Sequence, residues 1–218
     1  MIEPLPRCEE NPDFCTTFLP HLTLPGFFPG AGGFFPGHAN ANKRILIFGT
    51  DFGQLDYQQS LQSPHGETHN QTIVNLTKIL TGAGVSLDEC FLTNSVLCTW
   101  KVDRCLDNHA VWRRYPEYVK DCAEWHLQFI EQHKPDAVVL MGTPALETFG
   151  KVLYKDLGVQ WKGRTSLKAI YDAGLETYQV PLGPKVLLMP HASLWYLNAK
   201  RFPIVAARAI QHLQSLKR

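Results

Sequence analysis

Three polar side chains in this sequence stand directly after short apolar runs and together could do chemistry: Asp51, Asn94 and His191. A carboxylate can stabilise a developing positive charge or orient a water for attack. A carboxamide offers an acceptor and a donor side by side, which suits a ligand presenting the complementary pair. An imidazole can donate a hydrogen bond to an atom on which negative charge builds. The residues occur in Gly49-Thr50-Asp51-Phe52-Gly53, Thr93-Asn94-Ser95 and His191-Ala192-Ser193, and a fourth apolar run ends in Gly142-Thr143. Taken singly, each has a plainer role: Asp51 as a turn cap, Asn94 as a partner for loop backbone, His191 as a structural histidine. Their recurrence at successive run ends is what makes a shared site the sharper reading.

The runs themselves predict the elements that must position these groups. Ile45-Leu46-Ile47-Phe48, Cys90-Phe91-Leu92-Thr93, residues 136–142 after their opening Asp136, and Val186-Leu187-Leu188-Met189 are nearly continuous apolar runs, as strands buried on both faces should be. Between them, residues 71–83 read as a helix closed by Gly82 and Gly84. Tyr118, Cys122, Trp125 and Phe129 follow a 4-3-4 spacing that predicts a long amphipathic helix. A short helix is expected to open at Thr143-Pro144 and a closing one at Pro203. Strands alternating with helices predict an α/β fold, a three-layer αβα sandwich with a small, mainly parallel central sheet. In such sheets ligands bind beyond the carboxyl ends of the strands, which is where the polar residues fall. Residues 1–42 are rich in Pro, Gly and Phe, with Gly26-Phe27-Phe28-Pro29-Gly30 echoed at Gly33-Phe34-Phe35-Pro36-Gly37. They read as an extended arm packed on a core of residues 43–218, the whole forming one domain over 1–218.

Composition narrows the function classes. The chain has 218 residues, 44% hydrophobic and 19% charged, with net charge +1, which excludes wholesale disorder. No apolar run approaches the roughly 20 residues of a membrane helix. Met1-Ile2-Glu3-Pro4-Leu5-Pro6 lacks the basic start and apolar stretch of a secretion signal, so a cytoplasmic location and no membrane partner are expected. Charge is unevenly spread, with four Lys/Arg against nine Asp/Glu in residues 1–100 and 17 against 11 afterwards. A basic face toward a polyanion is one outcome, a mixed surface the other. The six cysteines are expected as thiols or metal ligands rather than disulfides. Neither Gly-x-Gly-x-x-Gly nor Gly-x-x-x-x-Gly-Lys-Ser/Thr occurs, which counts against a generic nucleotide-binding α/β protein.

The ordered set of motifs resembles the uracil-DNA glycosylase superfamily over about residues 44–202. That family has a Gly-x-Asp/Asn-Pro-Tyr/Gly strand–loop motif, an Asn ending the next strand and a late His-Pro-Ser. The thermophile-type branch is the most similar, since Thr93-Asn94 is followed by Cys98, then Cys122, then Pro135 and Met141-Gly142. The resemblance implies a monomeric, monofunctional DNA glycosylase of base excision repair acting on uracil or a related deaminated or damaged base in DNA. Asp51 would stabilise the oxocarbenium-like sugar and orient water, and His191 would meet the charge on uracil O2. Asn94 would pair with N3–H and O4, a pattern that cytosine reverses. The base must be flipped out of the duplex. The family's wedge position, four residues after the histidine, is Trp195 here, flanked by Leu194 and Tyr196. Ser193, with Gly142 and Thr143 at a helix start, would grip phosphates.

The departures are specific. Phe52 replaces the motif proline, Thr50 the branch's glutamate and Ala192 the proline of His-Pro-Ser. Gly66-Glu67-Thr68-His69 stands where relatives have Gly-Arg-Pro-Phe, leaving His69 with Phe52 to stack on the base. Gly53 replaces the tyrosine that in strict uracil enzymes blocks the thymine methyl. These changes keep a non-catalytic relative that binds DNA or a nucleotide as the alternative. The chemistry needs no cofactor. The branch also carries a [4Fe–4S] cluster on four cysteines; Cys98 and Cys122 match the later pair, and Cys8 and Cys15 stand for the earlier one at wider spacing. Buried reduced thiols are the alternative.

Overall fold

The computed structural model describes residues 14–15, 27–30, 33–36, 43–50, 71–96, 99–100, 116–147, 155–164 and 166–217. The strands of the main sheet are β1 (Ile45–Gly49), β2 (Cys90–Asn94), β3 (Ala137–Met141), β4 (Thr177–Gln179) and β5 (Lys185–Met189). The helices are α1 (Gln71–Ala83), α2 (Pro116–His133), α3 (Gly142–Ala145), α4 (Lys155–Gln160), α5 (Leu167–Asp172), α6 (Trp195–Arg201) and α7 (Pro203–Gln214). The sheet order is β2-β1-β3-β5-β4. The first four strands run parallel and β4 pairs antiparallel with β5. The order reverses at β1, whose neighbours are β2 on one side and β3 on the other; in sheets of this kind ligands bind beyond the carboxyl ends at such a switch point.

Each central strand splits its apolar residues between two faces, as period-2 geometry requires. Ile45, Ile47, Val139, Met141, Leu187 and Met189 face one layer, where α1, α6 and α7 supply Leu76, Leu80, Trp195, Val205 and Ala209. Leu46, Phe48, Val138, Leu140, Val186 and Leu188 face the other, covered by Cys122, Trp125 and Phe129 of α2 with Leu157 and Trp161. The expected α/β sandwich with a mainly parallel sheet is therefore present.

Local signals act as the sequence predicts. Helix α1 buries Asn75, Leu76, Ile79, Leu80 and Ala83 at helical spacing. It stops at Gly84, whose φ of 73° lets Val85 N–H reach back to the Leu80 carbonyl at 2.9 Å. The amino ends of the strands are joined by Arg44, which donates to Glu89 at 2.7 Å, to Asp136 at 2.8 Å and to the Leu216 carbonyl at 3.1 Å.

Three features differ from expectation. Strand β4 is only three residues long, too short to carry an alternation, and reverses into β5 through Leu182, whose φ is 56°. Helices α4 and α5 have six residues each, less than two turns of periodicity. In the amino-terminal region, most of which lies outside the described residues, the Phe-Phe-Pro echo pairs with itself: Phe27–Gly30 lies antiparallel to Gly33–Pro36.

Candidate functional site

The carboxyl ends of the parallel strands are level. Gly49 is in register with Asn94, Phe48 with Leu140, and Met141 with Met189. The segments after β1, β2, β3 and β5 thus begin on one rim of the sheet.

The first two segments are joined past the end of the ladder. Ser95 N–H and Ser95 Oγ–H both donate to the Gly49 carbonyl at 2.9 Å, and Val96 N–H donates to the Thr50 carbonyl at 2.8 Å. The Asn94 side chain lies directly over Gly49. A β-carbon at residue 49 would stand 3.3 Å from Asn94 Cγ, closer still to its Oδ1, and 3.8 Å from Met141 Cε. A side chain at residue 49 would have to move the Asn94 carboxamide, so glycine is favoured here by this close approach and not by its backbone angle.

The Asn94 backbone is held from below the rim. His126 of α2 is wholly buried and its Nε2 lies 2.9 Å from the Asn94 carbonyl oxygen. A carbonyl only accepts, so Nε2 carries the hydrogen. Burial drives the pKa of His126 down to about 3, against the opposing pull of hydrogen bonds to the Asn94 and Ser95 backbone, so the ring is neutral.

On the other side, His191 opens a 3₁₀ turn over Ala192–Leu194 and caps it with its own ring. Ser193 N–H donates to His191 Nδ1 at 3.3 Å, and Ser193 Oγ lies 2.7 Å from the same nitrogen. A backbone N–H only donates, so Nδ1 holds a lone pair and the ring proton sits on Nε2. Burial lowers the pKa of His191 below its ordinary value, which favours the neutral ring. Gly142, at φ 82°, passes so close that a β-carbon there would meet His191 Cβ at 3.3 Å. From α1, buried Asn75 donates to the Ala192 carbonyl at 2.9 Å and accepts from Gln71 at 2.7 Å.

The structure thus gathers Asn94, Gly142 and His191 at one rim, with half-buried Thr143 next to Gly142 and exposed Ser193 engaged by the His191 ring. Asp51, Phe52, Gly53 and His69 lie outside the described residues. The wedge expected at Trp195 is corrected: Trp195 is 7% exposed and packs into the core with Val205 and Ala209. Helix α6 begins at this residue and turns it inward, while Leu194, Tyr196 and Leu197 are exposed. Sequence reasoning missed Asn75 and His126. Each is a polar residue inside an apolar helical stripe, Asn75 four before Ile79 and His126 four after Cys122, and such an interruption is the signal that could have found them.

Of the cysteines, Cys8 and Cys98 lie outside the described residues. Cys15 pairs opposite Thr99, the residue after Cys98, and Cys122 is buried in the packing beneath α2. Among the described residues no group of three or more His, Cys, Asp or Glu side chains could hold a metal ion. Among the same residues no helix is long and apolar enough to cross a membrane.

The family model described as Uracil DNA glycosylase superfamily matches residues 36–214. No individual curated protein matches the chain.

Proposed function

Because the chain belongs to the uracil DNA glycosylase superfamily, we propose that it is a monofunctional DNA glycosylase, hydrolysing the N-glycosidic bond of uracil or a related deaminated or damaged base. The observation that carries the reading is the placement, at the level carboxyl ends of one sheet, of a carboxamide ending β2 and an imidazole after β5 whose Nε2 bears the proton.

In this reading the flipped base docks on Asn94, whose carbonyl takes N3–H and whose amide meets O4. The bond between C1′ and the base nitrogen breaks, its electron pair leaves with the base, and negative charge gathers on O2. The Nε2–H of His191 donates there. Because the ring is neutral, it stabilises that charge as a donor without having to give up a proton. Asp51, two residues beyond the end of β1, stabilises the positive sugar and aligns the water whose oxygen bonds to C1′. The proton that this water releases ends on the base anion, and the products are an abasic deoxyribose and the free base.

The protein acts as a monomer in this proposal, with Ser193, Gly142 and Thr143 against the DNA backbone. Leu194, exposed beside His191, takes the wedge role that buried Trp195 leaves open. Phe52 or His69 stacks on the base, and Gly53 leaves room for a substituent at C5. Gly53→Tyr should then narrow activity toward uracil over 5-hydroxymethyluracil.

A [4Fe–4S] cluster on Cys8, Cys15, Cys98 and Cys122 would be structural and take no part in bond cleavage. The register that sets Cys15 beside the residue after Cys98 favours it. The burial of Cys122 in apolar packing favours plain thiols instead. Iron and sulfide analysis of anaerobically purified protein separates the two.

The deciding experiment is base release from oligonucleotides with uracil, hypoxanthine or 5-hydroxymethyluracil opposite guanine, for wild type, Asn94→Ala and His191→Ala. Wild-type release that both variants lose supports the proposal. Tight binding of the same DNA without release would assign the chain as a non-catalytic relative.

A further inference from the structure

We propose that His126 is a positioning residue: through its bond to the Asn94 carbonyl it fixes the direction in which the Asn94 carboxamide is presented. The inference rests on the reading of Asn94 as the base-contacting residue.

Four observations carry it. The imidazole is wholly buried, with its ring edge-on to Phe48 at 4.8 Å and to Trp125 at 5.5 Å between centroids. Such packing leaves the ring one orientation, so its Nε2–H is a fixed donor. That donor lies 2.9 Å from the carbonyl of the last residue of β2. The residue it holds is the one whose side chain fills the space that a β-carbon on Gly49 would need. The bond to the carbonyl therefore anchors the same residue whose carboxamide must stay seated over Gly49. Finally, an apolar residue would serve packing better at this point of the stripe, because a buried polar ring costs stability unless its hydrogen bond is made. The position makes sense for a residue whose purpose is that bond.

The ring works from the opposite side of the sheet to Asn75, which holds the Ala192 carbonyl beside His191. It touches neither base nor sugar in this account, so its effect must reach the reaction through Asn94.

The test compares His126→Phe, which keeps a ring but removes the donor, with His126→Gln, which keeps an N–H of similar reach. Three quantities are read: the single-turnover rate of base release, the Kd for uracil DNA, and amide hydrogen exchange at Ser95 and Val96 against Ile45–Phe48. Loss of a donor that leaves a buried carbonyl unmet should slow base release about 10- to 100-fold in the Phe variant. Kd should be unchanged, and exchange should quicken at Ser95 and Val96 while the β1 amides stay protected. His126→Gln should recover most of the rate and the protection. If the Phe variant does not fold, His126→Asn, one methylene too short to reach, should show the same split. A donor-less variant with wild-type rate and protection overturns the inference, as does a Gln variant as impaired as Phe, which would reduce the ring to packing. A wild-type protein that releases no base from any substrate overturns the functional reading instead, and the exchange comparison still judges the His126 bond.

Discussion

The Asn94 carboxamide occupies the volume that a side chain on Gly49 would need, with Cγ 3.3 Å from where a β-carbon would stand. Gly49→Ala must therefore displace either Asn94 or the ends of β1 and β2. Overpacking of this kind costs about 1–3 kcal/mol. The expected outcome is a modest fall in the urea midpoint together with a loss of base release far beyond it, because the displaced group is the one proposed to meet the base. Equal losses of stability and activity in Gly49→Ala would argue against that role.

Acid should unfold the protein in a particular window. His126 has an ordinary pKa of 6.5 and a folded value of about 3, so between these pH values the unfolded chain binds more protons than the folded one. The stability is fully present above pH 6.5 and is lost progressively as pH falls toward about 3. His191, also lowered by burial, adds to the same limb. Thermal melts from neutral pH downward should fall in Tm over this range, and His126→Gln should flatten the slope. An unchanged slope in that variant would mean that other groups dominate acid unfolding.

Neighbouring positions on the 3₁₀ turn and α6 should behave in opposite ways. Trp195→Ala removes a core side chain and should cost about 3–5 kcal/mol of stability. Leu194→Ala removes an exposed one and should leave Tm within experimental error. With the wedge role at Leu194, its alanine variant should lose base release from duplex DNA while keeping it on single strands, where no stacked partner must be displaced. Parallel losses on both substrates would remove Leu194 from base flipping.

Asn75→Leu keeps the volume in α1 but deprives the buried Ala192 carbonyl of its donor. The expected cost is about 1–3 kcal/mol in chemical denaturation. Gln71→Ala, which removes only the exposed donor to Asn75, should cost much less. If the two variants are alike, the Ala192 bond is not what Asn75 contributes.

The layers of this fold were legible because β1, β2, β3 and β5 are apolar runs too uniform for a half-exposed strand, and because α1 and α2 span enough turns to show their period. The same reasoning brought Asn94 and His191 to one rim, since a parallel sheet sets its strand ends level. Strand β4 and helices α4 and α5 escaped because three to six residues carry no period. Trp195 was misplaced for a different reason. Counting from His191 gives a position along the chain, but the 3₁₀ turn between them decides which way that position faces. His126 and Asn75 were passed over because their partners are backbone carbonyls distant in sequence, which no local pattern announces.

Arg44 gives the molecule one stiff pole. With Glu89, Asp136 and the Leu216 carbonyl all drawn to a single half-exposed guanidinium, the amino ends of β1, β2 and β3 and the segment after α7 are linked at one point. At the far pole Ser95 makes two bonds and Val96 one between the segments after β1 and β2, while His126 and Asn75 tie α2 and α1 to the rim. The two ends of the sheet are therefore closed by different means: ion pairs that salt screens at the amino pole, and hydrogen bonds among backbone and buried side chains at the rim.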